Sequence, residues 1–190
     1  LDYIRCTEDE LAEKVSEAII NNNVVGWFQG HAEFGPRALG ARSVLADPRN
    51  IDSKARVNQL LKRREWFMPY APSILEEYAD QFIDIQEGDK SSYYMTSAYT
   101  VSDSIKSTIP SAVHIDGTIR PQVVNKQLNR RYHKMISKFY DKTGVPLVLN
   151  TSFNRHGVPI VATPRHAVEH LLEGVVDDQS VPAAAVRVGG

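Results

Sequence analysis

The stretch VPLVLNTSFN, residues 145–154, passes from an apolar run into a series of side chains that only hydrogen-bond. An apolar run this short, entered directly after Gly144, is a buried strand rather than a helix. The segment before it, Lys126 to Lys142, carries Leu128, Tyr132, Met135 and Phe139 at spacings of 4, 3 and 4, which predicts a helix ended by Gly144. A helix leading into a buried strand requires a sheet with helices packed on it. The same alternation recurs at the start of the chain. Thr7-Glu8-Asp9-Glu10 forms a capping box, Leu11, Val15, Ala18 and Ile19 supply an apolar face, Asn21 to Asn23 stop the helix, and VVGWFQ (24–29) follows as a strand.

Between these two units the pattern is less regular. A helix is expected over residues 52–63, with Ala55, Val57, Leu60 and Leu61 as core contacts. Pro69 and Pro72 mark an extended or edge segment. SYYMTSAYTV (92–101) and SAVHIDGTIRPQVV (111–124) read as strands, the second broken by an Asp-Gly turn at 116–117. Thr163-Pro164 opens a last helix that runs through Glu173. Strands and helices mix without strict alternation, so the expected class is α/β of the mixed α+β kind, a twisted mixed sheet with packed helices.

The 190 residues suffice for one well-buried core, and a single domain is expected over 1–190. A net charge of −1 argues against a nucleic-acid or membrane-surface binder. Locally the charge is segregated: residues 35–65 hold eight basic and three acidic side chains, whereas 76–89 hold six acids and no base. That distribution suits a small polyanionic ligand held at one place, or a solvated helix face. The lone cysteine, Cys6, excludes an internal disulfide and fits a reducing, cytoplasmic setting. No run reaches the roughly 18–20 apolar residues of a membrane span. A first residue of leucine leads to the expectation that the chain is a piece of something longer.

Three constellations bear on chemistry. In EFGPRALGARS (33–43), opened as a helix start, Gly35, Pro36 and Gly40 can present backbone amides to an anion, with Arg37 and Arg42 adding charged hydrogen bonds; a structural turn is the alternative. The spacing of the two glycines matches a Walker A loop, but Ala41-Arg42 stands where lysine and a hydroxyl residue are required. Lys62-Arg63-Arg64 can aim Lys62 and Arg64 at one anion from an extended segment, or simply end a basic helix in solvent. Asn150, Ser152 and Asn154 alternate onto one side of their strand, as neutral groups that orient a ligand or as ordinary turn chemistry. His166-Ala-Val-Glu-His170 has the spacing of an inverted zinc-protease signature, but no third ligand is evident. With Ala167, Val168, Leu171 and Leu172 facing the core, both histidines are expected at solvent, as are His133 and His156.

Taken together, EFGPRALGARSVLADPR, LKRREWFMPYAPSIL, HIDGTIRPQVV and PLVLNTSFNRHGVPIVATP resemble the C-terminal domain of the NodU/CmcH-type O-carbamoyltransferases. The resemblance implies a YrdC-like fold and a missing N-terminal partner domain of the actin-like ATPase superfamily, with a homodimer as a further possibility. It implies an enzyme that uses ATP, Mg²⁺ and carbamoyl phosphate to form a carbamoyl-adenylate for transfer to a hydroxyl. Under it, Lys62, Arg64, Ser152 and Asn154 become the catalytic set, and Arg37, Arg42, Arg120, Asn150, His114 and Asp116 the substrate- or nucleotide-contacting set. His31 and Met68 stand where the family pattern has arginine. The rival readings are a threonylcarbamoyl-adenylate synthase-like enzyme, against which EFGPRALG and HIDGTIRPQ speak, and a non-catalytic sensing or docking module.

Overall fold

The computed structural model describes residues 4–62, 70–173 and 184–186. Helix α1 (Glu8–Ile20) starts at the expected capping box: Glu10 donates its amide to the Thr7 hydroxyl, and Thr7 N–H donates to the Glu10 carboxylate at 2.7 Å. Strands β1 (Val25–Phe28) and β2 (Arg42–Ala46) pair antiparallel on either side of the glycine-rich loop. That segment is therefore a loop running into a strand and not the start of a helix. Helix α2 (Ser53–Val57) is short and widens into a π turn over Asn58–Lys62, where one regular helix was expected.

The main sheet has the order β6-β3-β7-β2-β1-β8. Its remaining strands are β3 (Ala71–Leu75), β6 (Gln122–Val124), β7 (Leu147–Ser152) and β8 (Ala184–Val186). The β3/β6 and β1/β8 pairs are parallel and the others antiparallel, a mixed sheet. Pro72 sits in an interior strand and not at an edge. Its missing N–H is harmless there because the ladder to β6 begins at Ser73, one residue on.

Helix α4 (Arg130–Thr143) lies over one face, with Tyr132, Met135, Ile136 and Phe139 fully buried. Gly144 closes it in the left-handed conformation, φ 70°. The expected start at Lys126 is four residues early, because the Asn125 side chain accepts the amides of Gln127 and Leu128 and holds them in a turn. Leu128 is consequently exposed at 79 % instead of joining the core. Helix α1 packs on α4 through opposite charges, with Asp9, Glu13 and Glu17 facing Lys134 and Lys142.

Alternation along β1 directs successive residues to opposite faces. Trp27 meets Tyr132 of α4, whereas the position of a Gly26 side chain is filled by the Phe153 ring. Phe153 in turn stands edge-on to His170 of helix α5 (Pro164–Leu172), 6.1 Å between centroids. His170 is thus buried, not turned to solvent, because the Phe153 ring covers it from the sheet; His133 is also buried, against Glu77. Leu172 is exposed, contrary to the expected core position.

The strands expected at 92–101 and 111–124 survive only in fragments. Asp89 accepts the Ser91 amide and hydroxyl, which folds Ser91–Tyr94 into a 3₁₀ turn and leaves Tyr99–Thr100 as β4. The short helix α3 (Asp103–Thr108) follows, and Thr118–Ile119 form β5 opposite β4. Pro121 then separates β5 from β6.

Two tests follow from this packing. Gly40 has φ +99°, and an added Cβ would lie 2.3 Å from the buried Tyr132 ring. Gly40→Ala combines forced backbone with overpacking and is expected to cost on the order of 3 kcal/mol in denaturant unfolding; an unchanged midpoint would refute the packing. His170 donates from Nδ1 to the His166 carbonyl, and among the described residues its buried Nε2 has no partner. Burial, helped by nearby Arg155, lowers its pKa, so below about pH 6.5 the unfolded chain binds more protons than the folded one and stability falls as pH drops. Between pH 7 and 5 the Tm is expected to fall, less steeply in His170→Leu; parallel slopes would contradict it.

Candidate functional site

The loop between β1 and β2 is held by side chains from across the sheet. Its three consecutive carbonyls are each taken. Asn150 of β7 donates to Ala38 O at 3.0 Å, and Gln122 of β6 donates to Leu39 O at 2.7 Å. Trp27 and Gln29 donate to Gly40 O at 2.8 and 2.6 Å. The amides are taken as well. One Glu33 carboxylate oxygen accepts from Leu39, Ala41 and Arg42 at 2.6, 2.7 and 3.2 Å. The anion cradled by these backbone amides is therefore the chain's own carboxylate. A sequence reading that looked for glycines and arginines missed Glu33, although it opens the motif.

This fixed base presents a cavity of about 70 Å³ at the end of the sheet. Arg37, Arg120, Asn150 and Ser152 line it together with Tyr70 and Met95. Arg37 reaches it from the exposed tip of the loop, and Arg120 from the link between β5 and β6. Tyr70 is buried, with its hydroxyl on Asn58 of the π turn. Met95 is buried in left-handed backbone, φ 56°, after the 3₁₀ turn. Neither Tyr70 nor Met95 carried a sequence signal, since one lies between Pro69 and Pro72 and the other in a region expected to be strand.

Of the residues expected to act together, Ser152 and Asn154 meet directly: the Ser152 hydroxyl donates to Asn154 Oδ1 at 2.6 Å. The Asn154 amide nitrogen donates to Arg155 O and Val158 O and closes the loop after β7. That loop is tied back to the π turn by His156 N–H, which donates to Leu61 O at 3.0 Å, one residue before Lys62. The Lys62 backbone therefore lies beside the Asn154 loop. Arg64 and Met68 lie outside the described residues.

Arg42, His114 and Asp116 are not among the cavity's lining residues. The Arg42 guanidinium lies 3.6 Å from the Phe28 ring centre and donates to Gln29 O and Gly30 O, which anchors the loop's other end. Burial pulls its pKa below the usual arginine value, opposed by the Glu33 charge. Asp116 accepts the Thr118 amide and hydroxyl in the Asp-Gly turn. His114 packs on that turn against the Thr118 hydroxyl, and burial, with Arg120 and Lys54 nearby, lowers its pKa against the pull of Asp116. His31 is exposed in the same loop. Among the described residues no group of three His, Cys, Asp or Glu side chains could hold a metal, and no helix is long and apolar enough to cross a membrane.

The chain is similar to known proteins in both sequence and fold. A family model described as carbamoyltransferase C-terminus matches residues 16–187. Nodulation protein NolNO of Sinorhizobium fredii is 42 % identical over 187 residues, covering 98 % of this chain and 27 % of that protein. Nodulation protein NolO of Bradyrhizobium diazoefficiens is 38 % identical over 179 residues, covering 94 % and 33 %. The chain thus spans a third or less of the length of these relatives. Among solved structures, full-length HypF in its phosphate- and nucleotide-bound form superposes with a TM-score of 0.60 at 12 % identity, over 91 % of this chain and 21 % of that one. HypF of T. kodakarensis gives 0.56 at 18 % identity, over 86 % and 20 %. At such identities the likeness to HypF concerns the fold, whereas the sequence matches bear on descent: the chain belongs to the carbamoyltransferase C-terminus family.

Proposed function

We propose that this chain is the carbamoyl-activating part of an O-carbamoyltransferase, and that the cavity lined by Arg37, Arg120, Asn150 and Ser152 receives the carbamoyl phosphate end of the reaction. The observation that carries the reading is the convergence of two arginines with neutral hydrogen-bonding groups on a base whose carbonyls are held from three strands, β7, β6 and β1. Arginine's planar fork suits phosphate oxygens, and Ser152 and Asn150 suit the uncharged carbamoyl end. On this reading the carbamoyl phosphate end occupies the cavity, and the adenosine of ATP extends out of its mouth. Lys62 and Arg64 enter the proposal from the sequence, as cations for the nucleotide phosphates.

Water takes the phosphoryl group of carbamoyl phosphate and leaves carbamate; a carbamate oxygen then bonds to the α-phosphorus of ATP as the bond to pyrophosphate breaks. Both substrates are polyanions, so fixed cations whose geometry is set before binding are what lowers the barrier. Mg²⁺ would come with the nucleotide, on whose phosphates it would neutralise charge. The Ser152 hydroxyl and Asn154 amide would orient the mixed anhydride. Transfer to a hydroxyl acceptor is assigned to an N-terminal actin-like domain in the remainder of a longer protein, which the relatives' greater length supports. The phosphate- and nucleotide-bound form of HypF is in keeping with this reading.

Calorimetric titration of carbamoyl phosphate and of ATP with Mg²⁺ tests it. Charged hydrogen bonds contribute about 1.5–3 kcal/mol, so Arg120→Ala is expected to weaken carbamoyl phosphate binding by roughly 10- to 100-fold. Unchanged affinity would sink the assignment. Glu33→Ala is expected to act indirectly: amide exchange at Leu39, Ala41 and Arg42 rises, and ligand affinity falls because Arg37 loses its fixed base. Faster exchange with intact binding would show that the loop does not serve the site.

A further inference from the structure

Arg37 and Arg120 line one cavity, although neither belongs to a helix or a strand. Arg37 stands two residues before Leu39 on the loop between β1 and β2. Arg120 stands two residues before Gln122, in the link that carries the chain from β5 of the small sheet to β6 of the main one. Gln122 joins these two segments directly. Its Nε2 donates to Leu39 O at 2.7 Å, while its Oε1 accepts from the Ser73 hydroxyl of β3 at 2.7 Å and from Asn150 of β7 at 3.1 Å. The orientation of this amide is fixed, because a backbone carbonyl can only accept. Turned over, Oε1 would stand against Leu39 O and Nε2 against the Asn150 nitrogen.

Gln122 is buried, 5 % exposed, and is not among the residues that line the cavity. It is registered against Ser73 in the parallel ladder of β6 on β3, so its place is set by the sheet. Asn129 also donates to Leu39 O, at 3.3 Å, but it stands at the start of α4 and ties the loop to that helix, not to the segment that carries Arg120. On the reading under Proposed function, we propose that Gln122 is a positioning residue: its bond to Leu39 O sets the separation of Arg37 and Arg120, so that the two guanidinium groups close on one phosphate as a unit.

The two arginines reach the cavity from segments that are remote in sequence, and each is carried on a long side chain. They meet the oxygens of one phosphate only where their backbones are held at the matching distance, and a small misplacement by a residue remote from the ligand is enough to lose such geometry. Acting as a unit has a measurable consequence. When one arginine is removed, the other loses the geometry that made it effective, so the second removal costs less than the first. Arginines that contact the ligand independently give effects that multiply. Coupling between Arg37 and Arg120, and its dependence on Gln122, therefore separates a positioning role from a general contribution to stability.

The test is a double-mutant cycle read by calorimetry on the purified protein, with inorganic phosphate and phosphonoacetamide, a hydrolysis-resistant analogue of carbamoyl phosphate, as probes. In the wild-type background Arg37→Ala and Arg120→Ala are each expected to weaken binding about tenfold or more. The double variant is expected to fall short of the product of the two by at least about threefold. In Gln122→Met, which keeps the side chain's length without its donor or acceptor, binding is expected to weaken about tenfold and the two arginine effects to become multiplicative. Coupling that persists in a folded Gln122→Met, whatever its affinity, overturns the inference and leaves the functional reading intact. Should that variant not fold, Gln122→Glu is judged by the same criterion, since it keeps an acceptor for Ser73 and Asn150 and removes the donor to Leu39 O. Where neither folds, the wild-type cycle decides: multiplicative effects there show that the arginines do not act as a unit and overturn the inference. Failure of both probes to bind the wild type overturns it together with the reading on which it rests.

Discussion

Three successive carbonyls, those of Ala38, Leu39 and Gly40, are drawn into the end of the sheet where water does not reach, and much of the site's architecture is arranged to satisfy them. A buried carbonyl without a donor costs on the order of 1–3 kcal/mol. Three in a row would consume a large share of the stability a domain of this size has to spare. The donors come from β7, β6 and β1. No local turn could supply them. The loop's shape is therefore a property of the assembled sheet, and the loop forms only when strands distant in sequence have paired.

This dependence explains why the loop can end in an exposed tip and still be fixed. Phe34 and Arg37 stand at the tip in solvent, yet the residues behind them are held at both ends, by Arg42 on the carbonyls of Gln29 and Gly30 and by Glu33 on the amides of 39, 41 and 42. A cation carried on a mobile loop loses conformational entropy when it binds an anion. A cation on a loop already immobilised loses much less, and that difference is available as affinity. Glu33 contributes to this without facing the ligand. An internal carboxylate among backbone amides also withholds from any external anion the donors that a glycine-rich loop seems to offer, and leaves the phosphate to the arginines.

The elements legible from sequence were those whose signal is local. The capping box at Thr7, the 3-4 apolar spacing of Tyr132, Met135 and Phe139, the left-handed stop at Gly144 and the apolar run of β7 each follow from a few neighbouring residues. The failures have a common cause. Tyr93 and Tyr94 favour strands, but Asp89 bonds Ser91 and curls the backbone first. His170 was assigned to solvent by the helical wheel, and its burial was decided by Phe153, which no period in the sequence of α5 reveals. At the site, Arg37, Arg120, Asn150 and Ser152 were legible as chemistry and do share a cavity, whereas Arg42 and Asp116 were legible as charges and turned out to hold the backbone. A charge in a sequence states what a side chain can bind, and only its neighbours decide whether it binds a ligand or the fold.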